Sequence, residues 1–394
     1  MSKTAIEPVV PIQRTKPLED LACTVLESAA RLSGKVREPF RAQLVELTRW
    51  MHCYYSNLIE GQQTRGRDIE AALHKDFAAE PAKRDLQRLA LAHLEVQQWA
   101  AIQTGSVHSA EFFRELHRRF YAALPEEMRV ATTAKGANTP LQPGELRDRD
   151  VEVGLHIGPP HELVPDLLAH FQRRYESADL SRLQRTIAIG ASHHRLAWIH
   201  PFRDGNGRIV RLFSDAVIRQ LGIDSGGLWS LSRGFARNRG EYYERLANAD
   251  QKRSSTSADD GHGHLSERAL GDFCEFTLRT MVDQIAFMER LLELDGLERR
   301  IDHYVHVAEP AVAKEANRVF LLLREALVRG QFARGDAGRI VGASERTGRD
   351  ILGLAVDAGL LGSVSPKAPV HLALPSKVLD SYFPQLFPLN QSGG

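Results

Sequence analysis

The run His200–Arg211, HPFRDGNGRIVR, concentrates chemically specialised residues as no other part of the 394-residue chain does. It holds a titratable base (His200), a carboxylate (Asp204), an amide (Asn206), two glycines (Gly205, Gly207) and two arginines (Arg208, Arg211). Gly-Asn-Gly does not suit a helix interior, where each glycine costs about 1 kcal/mol relative to alanine. It reads as a loop whose backbone N–H groups can turn to one side and cradle an anion. From Arg208 onward Ile209, Leu212, Phe213 and Val217 recur at helical spacing. The loop therefore opens a helix, and the positive end of that helix faces whatever the loop holds. Arg208 and Arg211 lie one turn apart and reach the same side. The ligand that suits this arrangement is a polyanion, most simply a nucleotide di- or triphosphate. Asp204 is placed to hold Mg2+, which takes few protein carboxylates and shares phosphate oxygens. His200, with an ordinary pKa of about 6.5, can act as a base near neutral pH. A glycine-rich turn with solvated charges is the plainer alternative, but it leaves the mutual support of these positions unexplained.

The run resembles the motif H-x-F-x-[D/E]-G-N-G-R-x-x-R of the Fic family and matches it at each specified position. The resemblance implies a mainly helical, all-α domain with a short β-hairpin flap. It also implies an enzyme that transfers AMP from ATP to a Ser, Thr or Tyr hydroxyl of a target protein or of itself. His200 would be the catalytic base and Asp204 would bind Mg2+. Gly205, Asn206 and Gly207 would hold the α- and β-phosphates. Arg208 would contact the phosphates and Arg211 the γ-phosphate, with Ile209 and Val210 counted in the same ATP-binding run. Attack at the α-phosphate needs positioning and charge neutralisation more than covalent help, which agrees with these residue types.

A second motif lies far upstream. Tyr54-Tyr-Ser-Asn-Leu-Ile-Glu-Gly61 ends a run of apolar residues at helical spacing, and Ser56 and Glu60 fall one turn apart. A glutamate in a last helical turn is poorly placed against the helix dipole and means little alone. The run resembles the family's inhibitory helix [S/T]-x-x-x-E-[G/N]. There the glutamate pairs with the second motif arginine, here Arg211, and denies the γ-phosphate its place. A desolvated Arg–carboxylate pair competes directly with Arg–phosphate.

Other elements must hold these residues in place. Val151-Glu-Val-Gly-Leu-His-Ile157 alternates like a short strand between glycines and prolines. The family has its flap here, which would dock an extended target segment by strand addition through Val151, Val153, Leu155 and Ile157. His156 there reads as incidental. Helices are expected over 86–102, 112–124, 163–175 and 183–199, the last rich in Ala and Ile and so buried, with His193 as a packed support. In the family, Tyr-Tyr-x-x-Leu borders the adenine, which points to Tyr243 first and Tyr242 second. Relatives often carry asparagine near the position of Asp250. His262 and His264 lack further ligands for a metal.

Residues 1–20 read as an extended or loosely packed arm, with a first helix from Leu21 and a second from Pro39. The chain divides into 1–38, arm and first helix; 39–105, helical region with the inhibitory helix; 106–300, catalytic core; and 301–394. The last region is expected to be a small separate winged-helix domain, with helix, glycine-containing turn, helix at 336–354 and a β-wing at 364–374. It resembles the domain attached to many Fic proteins. Arg346 and Arg349 on its second helix are offset by Glu345 and Asp350, so protein docking or a structural role is favoured over DNA. With 51 basic and 50 acidic residues, net +1, the chain has no global bias towards nucleic acid or acidic membrane. Cys23, Cys53 and Cys274 lie far apart and suit core thiols of a reducing cytoplasm. No membrane span or signal peptide is evident. A homodimer is compatible with the sequence. The competing functions are a non-catalytic, nucleotide-sensing winged-helix transcriptional regulator, a de-AMPylase, and a transferase using another nucleotide donor.

Overall fold

The computed structural model describes residues 5–13, 15–38, 40–132, 138–153, 156–254, 260–261 and 263–387. The chain is mainly helical. Helices α1 (Thr15–Gly34), α2 (Phe40–Ile59), α3 (Gly66–Leu73) and α4 (Pro81–Ala101) come first, followed by α5 (Ala110–Ala122). Pro39, the expected start of α2, lies outside the described residues. Two short hairpins follow: β1 (Val130–Thr132) with β2 (Asn138–Pro140), and β3 (Glu152–Val153) with β4 (His156–Ile157). In the second, Glu152 pairs with Ile157 and Val153 with His156. The run 151–157 is therefore not one strand but both arms of a hairpin.

Helices α6 (Val164–Tyr175), α7 (Arg182–Ile199), α8 (Asn206–Gln220), α9 (Leu231–Arg237), α10 (Arg239–Ala249) and α11 (Glu267–Leu291) complete the core. Their starts follow from sequence. Ser181 and Gln184 close a reciprocal capping box on α7, and Ser266 caps α11 through Ala269 N at 3.2 Å. The apolar residues of α7 face neighbours almost all round, since Ile187, Ile189, Ala191, Leu196 and Ile199 are all buried. The helix packs against α1, α6, α8 and α11, so its end is fixed from several sides.

The N-terminal arm is better packed than its prolines suggest. Ala5, Ile6, Val9 and Val10 are buried, and the fully buried Arg195 of α7 donates to Ile6 O at 2.9 Å. The first helix starts at Thr15 rather than Leu21. Cys53 and Cys274 are buried, but Cys23 is exposed on α1, so only two of the three thiols belong to the core.

Helix α12 (Leu294–His303) leads into α13 (Ala316–Arg329), β5 (Gln331–Phe332), α14 (Ala337–Ile340), α15 (Glu345–Asp357), β6 (Leu361–Gly362), β7 (Val370–Leu372) and α16 (Ser376–Tyr382). The three strands form an antiparallel sheet in the order β5-β7-β6. The residue 300/301 boundary falls inside α12. Beyond β7 the chain returns to the N-terminal helices: α16 packs on α3 and α12. Tyr55 donates to Leu386 O at 3.1 Å, and the Phe387 ring meets Tyr54 edge-on at 5.6 Å.

Candidate active site

Helix α7 ends by delivering His200 in the left-handed region, φ 50°. The loop that follows is fastened from both sides. Phe202 is buried and stacks on His117, with ring centroids 4.1 Å apart. The Asn206 side chain closes the loop on itself: its Oδ1 accepts from Phe202 N at 2.9 Å and its Nδ2 donates to Phe202 O at 2.8 Å. The Asn206 amide thus braces the loop. What faces outward is backbone. The N–H groups of Asn206, Gly207 and Arg208 open α8 and have no intrahelical acceptor, which makes the anion site expected of this loop. Gly205 (φ 78°) accommodates the left-handed turn and the close approach of the Tyr121 hydroxyl, which a Cβ would strike.

Asp204 accepts from the Tyr121 hydroxyl at 2.8 Å. One carboxylate beside a phosphate cradle fits Mg2+, which draws most of its ligands from phosphate and water. Among the described residues, the one group of three possible protein ligands is Asp150, His161 and Glu162, on an exposed loop. His262 lies outside the described residues.

Burial, with the nearby His156 and Arg147, lowers the His200 pKa to about 4. Its imidazole is neutral at pH 7 and competent as a base.

The end of α2 lies across the cradle. Arg211 is buried and donates to Glu60 Oε1 at 2.6 Å, to Ser56 Oγ at 2.9 Å and to Ser56 O at 3.0 Å. The Glu60 carboxylate also rests against Gly207, where a Cβ would collide with it, beside the first turn of α8. Burial pushes the Glu60 carboxyl up, but Arg211 and Arg208 outweigh this and hold it below its ordinary value. Arg208 is held too, by Gln62 Oε1 at 2.6 Å and more loosely by Asn57 Oδ1 at 3.4 Å. Both motif arginines are thereby occupied from one segment, residues 56–62.

The remaining candidates separate clearly. Ile209 and Val210 are buried in the core and offer no side chain to a ligand, because α8 turns that face inward. Tyr242 is buried with its hydroxyl 2.9 Å from His193 Nε2, so it supports the core instead of lining the cleft. Tyr243 is 41% exposed and donates to Ile59 O at 3.2 Å, beside the Glu60 segment. In the flap hairpin Ile157 is 72% exposed and Val151 is half-buried. Val153 lies on β3, and Leu155 lies outside the described residues. His156 is not incidental. Its Nδ1 meets Asp250 Oδ2 at 2.8 Å and its Nε2 meets Trp198 O at 3.1 Å, while the other oxygen of Asp250 accepts from His194 Nε2 at 2.9 Å. Asp250 is thereby committed to two histidines. Sequence reasoning also missed Arg147, Asn57 and Gln62, whose partners are distant or backbone and leave no local pattern.

The Fic/DOC family matches residues 108–218, which span α5 to α8 and contain the whole catalytic loop. Residues 108–218 form a Fic/DOC-family domain. A protein adenylyltransferase Fic of Nematostella vectensis is 28% identical over 178 residues, 44% of this chain and 38% of that protein. One of Drosophila erecta is 33% identical over 108 residues, 27% of this chain and 19% of that protein. The chain thus spans less than two fifths of the length of these curated relatives. The crystal structure of a Fic family protein from Desulfovibrio desulfuricans covers 92% of this chain and 98% of its own, with a TM-score of 0.56 at 18% identity. The helical Fic fold therefore extends well beyond the matched Fic/DOC segment.

Proposed function

We propose that the chain is a protein adenylyltransferase that uses ATP and Mg2+ and is restrained by its own α2. The observation that carries this is a neutral His200 at the loop that opens α8, with Glu60 bonded to Arg211 beside Gly207. A target hydroxyl on the flap would attack the α-phosphorus of ATP. The new bond joins that oxygen to phosphorus, the bond to the bridging oxygen breaks, and pyrophosphate leaves with its electron pair. His200 takes the hydroxyl proton through its unprotonated ring nitrogen. The α8 amides and the two arginines would balance charge as it builds on the phosphates. Bound Mg2+, held by Asp204, would neutralise phosphate charge. Glu60 opposes all of this until the 56–62 segment withdraws.

Members of the family named as adenylyltransferases support the reading. Tyr243, at the cleft edge, is the proposed adenine neighbour. Residues 301–394 are proposed to be a winged-helix unit in a protein-docking or structural role. Its α15 sets Glu345 and Asp350 beside Arg346 and Arg349, which offsets the charge that DNA binding would call on. Among the described residues no helix is long and apolar enough to cross a membrane.

The test is label transfer from α-labelled and γ-labelled ATP to protein, using the wild type, Glu60→Gly and His200→Ala. Label from α-labelled ATP alone, strongest in Glu60→Gly and absent in His200→Ala, is the expected result. Label from γ-labelled ATP would replace this reading with phosphorylation.

A further inference from the structure

We propose that Arg147 and His156 are positioning residues that fix the flap over His200 by gripping the carbonyls at the end of α7. The inference deepens the adenylyltransferase reading and rests on it.

A helix leaves its last carbonyls without intrahelical donors. At the end of α7 these are the groups that set where His200 points. Arg147, just before the hairpin, has a side chain with no exposed surface. Its Nε donates to His200 O at 2.8 Å and its Nη2 to Ile199 O at 3.5 Å. The same guanidinium donates to Arg149 O at 3.0 Å and to Pro159 O, on the two sides of the hairpin. Its backbone N–H completes the join by donating to Pro201 O at 2.9 Å. The nearest carboxylate, Asp150, is 3.7 Å away and exposed. This arginine is therefore not chiefly an ion-pair residue. It uses a planar fork of donors to tie four carbonyls, two at the end of α7 and two flanking the flap hairpin, and lysine cannot reproduce that geometry. Its charge is also favourably placed at the negative end of α7.

His156, on β4, repeats the grip from the other side. Its two ring nitrogens lie 2.8 Å from Asp250 Oδ2 and 3.1 Å from Trp198 O. Asp250 ends α10 and also accepts from His194 of α7, whose Nδ1 in turn takes a hydrogen bond from Arg195. Three successive carbonyls, Trp198, Ile199 and His200, are thus held by flap side chains. Between the two grips the hairpin is closed by Gly158 N donating to Val151 O at 3.1 Å. The flap and the base are therefore joined in one hydrogen-bonded unit. A target segment added to the flap would present its hydroxyl at a fixed distance from His200, which is what proximity catalysis requires. Neither residue touches the nucleotide cradle, where Arg208, Arg211 and the α8 amides lie.

The test uses the full chain carrying Glu60→Gly as parent, and reads self-labelling from α-labelled ATP over a range of ATP concentrations. Arg147→Gln, Arg147→Lys and His156→Gln are added singly, and the melting temperature of each is recorded. The expected result is a rate at saturating ATP about 10- to 100-fold below the parent, with KM for ATP unchanged. Arg147→Lys, which keeps the charge without the fork, recovers melting temperature but not rate. Rates within twofold of the parent for Arg147→Lys and His156→Gln would overturn the proposal. So would a rate loss that tracks melting temperature or a raised KM for ATP, because the residues would then serve stability or the cradle. A parent that transfers no label, although it binds ATP by calorimetry, would overturn the adenylyltransferase reading and this proposal with it.

Discussion

His200 combines two properties that would conflict in an exposed histidine: it is poised at a cleft, yet its imidazole is kept unprotonated to about pH 4 by burial. The acid limb of transfer by the Glu60→Gly chain should therefore fall near pH 4 rather than near the ordinary value of about 6.5. A limb centred near 6.5 in the measured pH–rate profile would sink this assignment. The stability sign follows from the same shift. The unfolded chain binds this proton near pH 6.5 and the folded one only near 4. His200 thus favours folding fully above 6.5 and progressively less as pH falls through the window to 4. Asn206 makes the opposite kind of contribution, in structure rather than chemistry. Asn206→Ala removes both bonds to Phe202 and leaves buried backbone groups unpaired, at about 1–3 kcal/mol each. Urea unfolding should show a loss of that order, and an unchanged midpoint would mean the brace is dispensable. At this scale the residue types of the 200–211 run could be read directly from sequence. The bonds of Asn206 to Phe202 were not legible, because an amide beside a phosphate cradle and an amide closing its own loop have the same local sequence.

The end of α2 acts as one element. Ser56 and Glu60 hold Arg211, while Asn57 and Gln62 hold Arg208. Removing Glu60 alone frees the anion site but leaves Arg208 engaged. Glu60→Gly should raise self-labelling by about 5- to 150-fold, the usual span of a coupling free energy of 1–3 kcal/mol. Glu60→Gly with Gln62→Ala should tighten ATP binding further by calorimetry. Equal affinity in the single and double variants would show that Gln62 contributes nothing to the restraint. The i, i+4 spacing of Ser56 and Glu60 was legible, and so was the helix that carries them. Gln62 lies past the helix end and gave no periodic signal. The flap was legible only as an alternating run. Its two arms are too short for period-2 alternation to distinguish a strand from a tight hairpin.

Across the whole molecule the C-terminal segment reaches the same element. Phe387, 8% exposed, packs on Tyr54 and against Gly66, and Arg233 donates to Gln385 O at 2.9 Å. The last residues before 388 thus wall the base of α2 and the turn that follows Glu60. Phe387→Ala should cost about 3–5 kcal/mol in urea unfolding, as for other buried phenylalanines. It should also loosen the 56–62 segment, read as faster amide exchange there. Full stability in this variant would mean that the docking is superficial. The expectation of a separate domain over 301–394 did not include this return, because a short apolar tail has no periodicity to announce where it packs.

The sequence by itself determined the helical class and the short run that brings His200, a glycine-rich loop and a pair of arginines together. These depend on residue type and on spacings within one or two turns, which local physics fixes. Only the tertiary structure decided which groups are free to act. Arg147 and His200 lie 53 positions apart, His156 and Asp250 94, and Glu60 and Arg211 151. Carbonyls are present at every residue, so an arginine that binds them carries no signature in the chain. Burial, which lowers the His200 pKa and commits Tyr242 and Asn206 to structure, exists only once the helices have packed.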